Sequence, residues 1–536
     1  MPARSDASVK RLTLIACIMG SGIALLDGTV VNVALPTIQR ALGGGLAGQQ
    51  WVVNGYLLTL GSLILIGGSL GDIYGERRIF ALGVGGFGVA SLACALAPTI
   101  GLLVAARALQ GVASALLTPA SLAVIVHTFP ESERGGAIGT WTAWGTIAAV
   151  IGPLLGGELL AIGSWRWIFV INIPFVIACV WIILVAIPRA PPRERAGRRV
   201  DVPGALLCAL GLGGTVFALI EQPLFGWSSP VVLVPLIGGV TLTCLFVLHE
   251  ARTRDPMLPL RLFSKRNFSV GNIETFSMYA GLAILFFFLI LFLQQIAGYS
   301  PLKSGLTTLP VTVVMFALSR RFGALADRFG PRLFMGAGPL VGAAGLLLFQ
   351  RVGTNVNYLT DLLAPLLLFA LGLSMTVAPL TAAVLADAAQ LDAGIASGVN
   401  NAIARVAGLI GTAAVGAAVS ASFAGDLDAR LAGVRLGPAA RAAAAQAKRL
   451  PLGRPDVQGV PVHQARVLTS AAEAASLHGF HVGMAIAAAL LAIGGLIGAV
   501  GIRNRRGTVA AEHCPAGQFV GTGRELTEQA VGSPTA

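Results

Sequence analysis

Two charged residues stand inside long apolar runs. Asp27 lies within Leu12–Pro36, and Arg107 lies within the run at 101–126. A charge in hydrocarbon costs on the order of 3 kcal/mol on insertion scales, so such residues are kept for a use or for a partner. With a rise of about 1.5 Å per residue, Asp27 is ~12 Å from one end of its run, and Arg107 is ~9 Å from the same end of its own. An acid and a base at similar depth can face one water-filled cavity and influence each other's charge. A carboxylate that takes a proton on one side and releases it on the other is the chemistry of proton-coupled exchange. The same pair also fits a fixed ion pair that only orients helices.

Other polar residues in apolar runs are candidate substrate contacts: Asn32, Trp51, Asn54, Tyr56, Gln110, Glu274, Gln294, Asn400, Asn401 and Arg405. Polar groups at membrane depth usually face the bundle interior. Aromatic faces and an acid suit lipophilic cations, whereas Arg405 favours anionic or zwitterionic groups, so the substrate's charge stays open. Trp51 and Tyr56 also read as interfacial anchors. Glu274, ~9 Å from the end of its run, also reads as an interfacial acid.

Little else carries chemistry. Gly83-Val-Gly85-Gly-Phe-Gly88 matches GxGxxG but lies in a continuous apolar run with no preceding strand, so it reads as helix packing. No phosphate-binding lysine loop, HExxH or nucleophile elbow is found. Of six cysteines, Cys17, Cys94, Cys179, Cys208 and Cys244 lie in apolar runs, and with Cys514 they form no CxxC pair or metal-spaced cluster. No cofactor, metal or ATP site is expected. A proton gradient is the expected energy source.

The elements that must position these residues are membrane helices. The 536 residues are 55% hydrophobic and 11% charged, and mean hydropathy is +0.80. A soluble chain carries about 25% charged residues, so the bilayer is the fitting solvent. The net charge of +13 does not point to nucleic acid, because Lys and Arg fall between apolar runs. Fourteen candidate spans follow: 12–35, 50–71, 79–98, 101–126, 137–161, 166–187, 203–222, 230–249, 268–295, 304–322, 333–350, 361–386, 394–423 and 479–502. The first run is too long for a signal-peptide core and reads as a retained span. With a cytoplasmic N-terminus, the inside segments hold 23 Lys and Arg and the short outside loops hold four: Arg40, Arg166, Lys303 and Arg351. That bias places both termini in the cytoplasm. The stretch 424–478 carries seven basic residues outside, which long loops tolerate. A surface helix is expected at Ala439–Lys448, with Pro438 in its first turn.

A loop recurs. Gly68-Ser-Leu70-Gly-Asp72-Ile-Tyr-Gly75-Glu-Arg77 and Gly323-Ala-Leu325-Ala-Asp327-Arg-Phe-Gly330-Pro-Arg332 match at an offset of 255 residues. Both lie between spans on the same side, so they imply two parallel halves. The expected organisation is a cytoplasmic 1–11, a six-helix half at 12–188, an inserted two-helix linker at 189–267, a second six-helix half at 268–506 that includes 424–478, and a disordered cytoplasmic tail at 507–536. The loops read as conformational latches: Gly68 and Gly75 permit a tight passage, and Asp72 caps a helix or meets an Arg of a neighbouring loop. They also read as a plain positive-inside signal. Gly145, Gly152, Pro153, Gly156 and Gly157 in one span read as a hinge between halves or as close packing.

These motifs together carry a resemblance. Leu26-Asp27-Gly-Thr29-Val-Val-Asn32-Val-Ala-Leu-Pro36, the repeated loop, Arg107-Ala-Leu-Gln110-Gly111 and Gly145-x6-Gly152-Pro153-Leu-Leu-Gly156-Gly157 stand in order over about residues 10–505. With Trp165-Arg166-Trp167, Asn172-Ile-Pro174 and Gln294-Gln295-x3-Tyr299-Ser-Pro301, they resemble the major facilitator superfamily, in its fourteen-helix drug:proton antiporter branch. Ile73 and Glu76 depart from it, standing where basic residues are common. The resemblance implies an all-α fold of two six-helix halves plus two inserted helices, in a bacterial inner membrane. It implies export of small amphipathic molecules, with Asp27 and Arg107 in proton coupling. A dedicated exporter of one metabolite, lipid or siderophore would use the same machinery. A membrane-embedded enzyme or scaffold finds no catalytic cluster in support.

Overall fold

The structure, a computed structural model, describes residues 6–188, 200–386 and 393–504. The described residues up to Ile502 form one compact unit. Arg189 to Arg199 of the expected linker and the expected tail at 507–536 lie outside the described residues.

The described residues form helices and no strand. In chain order the helices are α1 (Asp6–Leu42), α2 (Gly45–Tyr74), α3 (Glu76–Leu96), α4 (Ile100–Thr128), α5 (Glu131–Ile162), α6 (Trp167–Val170), α7 (Asn172–Ala186), α8 (Val202–Phe225) and α9 (Pro230–Arg252). Then come α10 (Arg266–Gln295), α11 (Pro301–Thr307), α12 (Leu309–Phe329), α13 (Pro331–Leu348), α14 (Ala364–Ala386), α15 (Ala393–Leu431), α16 (Pro438–Ala447) and α17 (Val462–Gly501). Starts are set locally. Thr99 Oγ1 accepts from Leu102 N at 3.3 Å to cap α4, and Ser300 Oγ accepts from Lys303 N at 3.2 Å to cap α11. The α2–α3 and α12–α13 turns pivot on Gly75 (φ +92°) and Gly330 (φ +88°), a region costly for any residue with a Cβ.

Thirteen stretches among the described residues are long and apolar enough to cross a membrane. The candidate span at 137–161 is not among them. It lies in α5, an unbroken helix of 32 residues, whose apolar part among the described residues is Ile151–Ile162. The chain is a multi-pass helical membrane protein. The stretch 424–478 is largely helical: α15 runs on to Leu431, and α17 starts at Val462 rather than near 479. Phe423, Leu427, Leu468, Ala472 and Ala475 bury one another there, with Ala443, Ala444 and Ala447 of α16. The expected helix therefore forms, led by Pro438, but its apolar face is packed.

Packing repeats along the chain. In the first half α1 packs on α5 and α7, and α3 and α4 pack together; α2 lies on α4 and α3 on α7. In the second, α10 packs on α15 and α17, and α13 and α14 pack together; α12 lies on α14 and α13 on α17. The halves meet chiefly where α2 packs on α15 and α5 packs on α11. The α8–α9 hairpin closes through Gly211, Gly214 and Gly239, where an added Cβ would lie within 3 Å of the facing helix. α8 rests on α2 and α15, while Val234, Ile237 and Val240 of α9 stay exposed, as a lipid-facing surface requires.

Candidate functional site

Asp27 and Arg107 meet. Both are fully buried, and Arg107 Nη1 donates to Asp27 Oδ2. Gln110, one turn along α4, joins them: its Nε2 donates to Asp27 Oδ1 at 3.0 Å, and its Oε1 accepts from Arg107 Nη1 at 2.6 Å. Arg107 Nε donates to the Val52 carbonyl of α2 at 3.0 Å, and its guanidinium lies 4.4 Å from the centre of the Tyr56 ring. The pair is thus charge-assisted and clamped by α1, α2 and α4. Three residues absent from the candidate contacts complete it. Asn172 Nδ2 reaches Asp27 Oδ1 at 3.4 Å and Ser91 Oγ at 3.0 Å; Ser91 Oγ donates to Phe169 O at 2.9 Å. Cys94 Sγ lies 3.6 Å from Gln110 Oε1. The Asn172-Ile-Pro174 stretch was the available signal.

The other candidates fall in different places. Asn54 is an inter-half strut: Thr412 Oγ1 of α15 donates to its Oδ1 at 3.0 Å, and neighbouring Gln50 Nε2 donates to Thr412 O at 2.6 Å. Gln294 Nε2 donates to Val33 O at 2.9 Å, tying α10 to α1. Trp51 turns toward the inserted hairpin, its Nε1 donating to Glu221 Oε1 at 2.9 Å. Asn400 Nδ2 donates to Asn272 Oδ1 at 3.1 Å and Thr275 Oγ1 at 2.7 Å, within the second half. Among the described residues, Asn32 and Asn401 donate to carbonyls of their own helices, at 3.5 and 3.0 Å. Arg405 packs beside Gly61 of α2. Glu274 is fully buried on the face of α10 toward α17, away from Asp27.

The α5 glycines serve two contacts. An added Cβ at Gly152 would lie 2.0 Å from Thr29 Oγ1, at Gly156 2.7 Å from Val30, and at Gly145 3.0 Å from Leu25. These residues seat α5 on α1. At Gly157 the Cβ would lie 2.4 Å from Leu302 Cα, and one on Gly305 would lie 2.7 Å from Pro153 O. Gly157 and Pro153 therefore sit where the halves touch. In the repeated loops, Gly75 and Gly330 make the turn. Gly68 and Gly323 instead lie inside helices, beside Pro119 and Ala378. Asp72 and Asp327 end α2 and α12. Arg77 donates to the carbonyls of Ile183 and Leu184 at 3.2 and 2.7 Å, and Arg332 to that of Ala499 at 2.5 Å. Each arginine closes the last helix of its own half. Glu76, which departs from the family pattern, pairs with His127 at 2.9 Å.

At the end of the bundle opposite these loops the halves are in contact. Gly157–Leu302 and Gln294–Val33 hold it, and Leu452 is fully buried there in the cluster of Leu35, Phe288 and Phe292. Tyr299 lies at this end. Burial, with the nearby Asp361, pushes its phenol above the ordinary range, so it stays neutral and donates to Val356 O at 3.5 Å. α4 and α5 make no extensive packing with α12 or α14 among the described residues.

Comparison with known proteins agrees with this architecture. The sequence matches the Major Facilitator Superfamily over residues 17–412. It is 38% identical over 406 residues to a puromycin resistance protein of Streptomyces alboniger, covering 75% of this chain and 80% of that one. It is 34% identical to the tetracenomycin C resistance and export protein of Streptomyces glaucescens over 420 residues, covering 77% of each. It is 35% identical to the multidrug resistance protein Stp of Mycobacterium tuberculosis over 421 residues, covering 78% of each. The fold resembles a bacterial homolog of the human lysosomal transporter Spinster, solved inward-facing and unoccupied, with a TM-score of 0.61, 17% identity, and 91% and 97% of the two chains covered. It also resembles the xylose transporter XylE of E. coli in its inward open conformation, with a TM-score of 0.55, 13% identity, and 92% and 97% covered. The chain belongs to the major facilitator superfamily.

Proposed function

We propose that this chain is a proton-coupled antiporter that exports small amphipathic or lipophilic compounds, antibiotics among them, across the plasma membrane. Its energy source is the proton gradient, and its termini are cytoplasmic. The observation that carries the reading is the buried Asp27–Arg107–Gln110 cluster. Protonating Asp27 removes the negative charge facing Arg107. Arg107 then loses its counter-charge but keeps the Val52 carbonyl, Gln110 Oε1 and the Tyr56 face, so its N–H donors stay partnered. One proton can therefore bind or leave without unfolding the site, and Asn172 and Ser91 carry the change to α7 and α3. The contacts at that end, and the sparse packing of α4 and α5 against α12 and α14, fit one access state of a rocking cycle, open toward the end that bears the basic loops. In the opposite state Gly157–Leu302 and Gln294–Val33 would part. The relatives' names, resistance to and export of antibiotics, support the substrate class.

The deciding measurement is transport by purified protein in liposomes under an imposed pH gradient. Asp27→Asn is expected to lose gradient-driven export while still binding substrate. Export at the parent rate under that gradient would end the coupling reading. A dedicated exporter is favoured by one observation: several relatives are named for a single antibiotic. Expression in an efflux-deficient host against a panel of dyes and antibiotics separates the two, because broad specificity predicts several protected compounds and a dedicated exporter one.

A further inference from the structure

One buried acid has no place in the Asp27 cluster. Glu274 lies in the α10–α17 seam, where contacts recur with helical spacing: Val270 against Gly501, Glu274 against Gly498, Ser277 against Gly494 and Gly281 against Leu491. The seam is fitted around the carboxyl. A Cβ on Gly498 would lie 2.6 Å from Glu274 Oε2 and 2.8 Å from the Met335 carbonyl, so only glycine leaves room there. α13 closes the third side, with Gly336 against Ala499 and Gly495 against the Gly336 carbonyl.

Neither carboxyl oxygen of Glu274 has a hydrogen-bond partner among the described residues. The Ser277 hydroxyl donates to Ile273 O in its own helix at 3.2 Å. At the start of α10, Arg266 is turned to the carbonyls of Val500 and Gly501, and on α13 Arg332 is turned to that of Ala499. Arg261 and Lys265 are exposed, and Arg405 of α15 packs beside Gly61 of α2. His478 and His481 lie about five turns or more along α17 from Gly498. An ionised carboxylate without donor or cation in such a place is strongly disfavoured. As a neutral acid it can instead turn its O–H toward the Met335 carbonyl. We propose that Glu274 is a proton-binding site separate from Asp27, which holds its proton while the α10–α13–α17 seam is closed and releases it when the seam parts and admits water. The way out is short: two turns, ~12 Å, along the seam past Val270 and Gly501. If the chain works as the exchanger proposed above, Glu274 gives the second half an exchangeable proton of its own.

Infrared spectroscopy of the purified full chain in lipid nanodiscs tests the site without any substrate. The parent is expected to show a deuterium-sensitive C=O band of a protonated carboxyl at neutral pH. That band should be missing from Glu274→Gln, kept in Asp27→Asn and moved in frequency in Glu274→Asp, which serves if the glutamine variant does not fold. A carboxyl band identical in the parent and both Glu274 variants, through the acid and neutral range, overturns the proposal. The Asp27→Asn transport result bears on the exchanger reading alone, so the two claims fail separately.

Discussion

Asp27 takes donors from α4 and α7, and Arg107 adds α2 through Val52, so the cluster is a joint as well as a charge site. Removing one partner strands the other. Asp27→Ala leaves a buried guanidinium without its counter-charge, a loss of about 3–5 kcal/mol for a buried pair. Thermal melts in detergent should show a large fall for Asp27→Ala, and a smaller one for Asp27→Ala combined with Arg107→Met. Strictly additive effects would mean that the two side chains do not support each other. Asn172→Ala should cost about 1 kcal/mol, as for one net hydrogen bond, and should slow proton-driven export more than it lowers the melting point. The pair was legible in the sequence because a charge in an apolar run is conspicuous. Ser91, Cys94 and Asn172 were not, because a neutral polar group can bond its own helix and so betrays no direction. Thr275, Ser374 and Thr376 do so, donating to carbonyls four residues back. Trp51 and Gln294 show the same limit: polarity at membrane depth marks an inward face, but not which helix is met there.

The glycines of α5 separate two jobs along one helix. Gly152 and Gly156 fix its distance from α1 within a half, so Gly152→Val should destabilise by about 1–3 kcal/mol, the range for overpacking. A melting curve unchanged from the parent would sink that assignment. Arg77 and Arg332 offer a matched test of the repeat, since each closes the end of a last helix. Arg77→Ala and Arg332→Ala should each cost about 1–2 kcal/mol, as for loss of a charge-assisted hydrogen bond, and hydrogen exchange should rise at 183–186 in the first and 498–501 in the second. If exchange rises instead in a loop of the opposite half, the latch reading of these residues gains. The loop motif disclosed its turn but not this role, because the accepting carbonyls belong to the backbone and leave no trace in residue type. Span ends were least legible where Ala-rich helix continues past the hydrocarbon. α17 begins at Val462 because Leu468, Ala472 and Ala475 have α16 to pack on, which no hydropathy window registers.

Across the whole molecule, the offset of 255 residues reappears as matched packing, α1 on α5 and α10 on α15, α3 on α7 and α13 on α17. The repeat was therefore the most informative long-range signal in the sequence. It does not reveal which end of the bundle is shut, since it reports packing within each half and not the contacts between them. That is decided by inter-half contacts such as Gly157–Leu302 and Gln294–Val33, together with Leu452, buried at φ +63° in a region unfavourable for a side chain. If these contacts seal one end and must break in each cycle, locking them must stop transport. Cysteines replacing Val33 and Gln294, in a chain freed of its own six cysteines, should be joined by a short bifunctional thiol reagent. Export from loaded vesicles should then fall to background with the linker in place and return when a cleavable linker is cut. Export that continues at the parent rate with the linker intact would show that the halves move without parting at this seam, and the site would need another route to the far side.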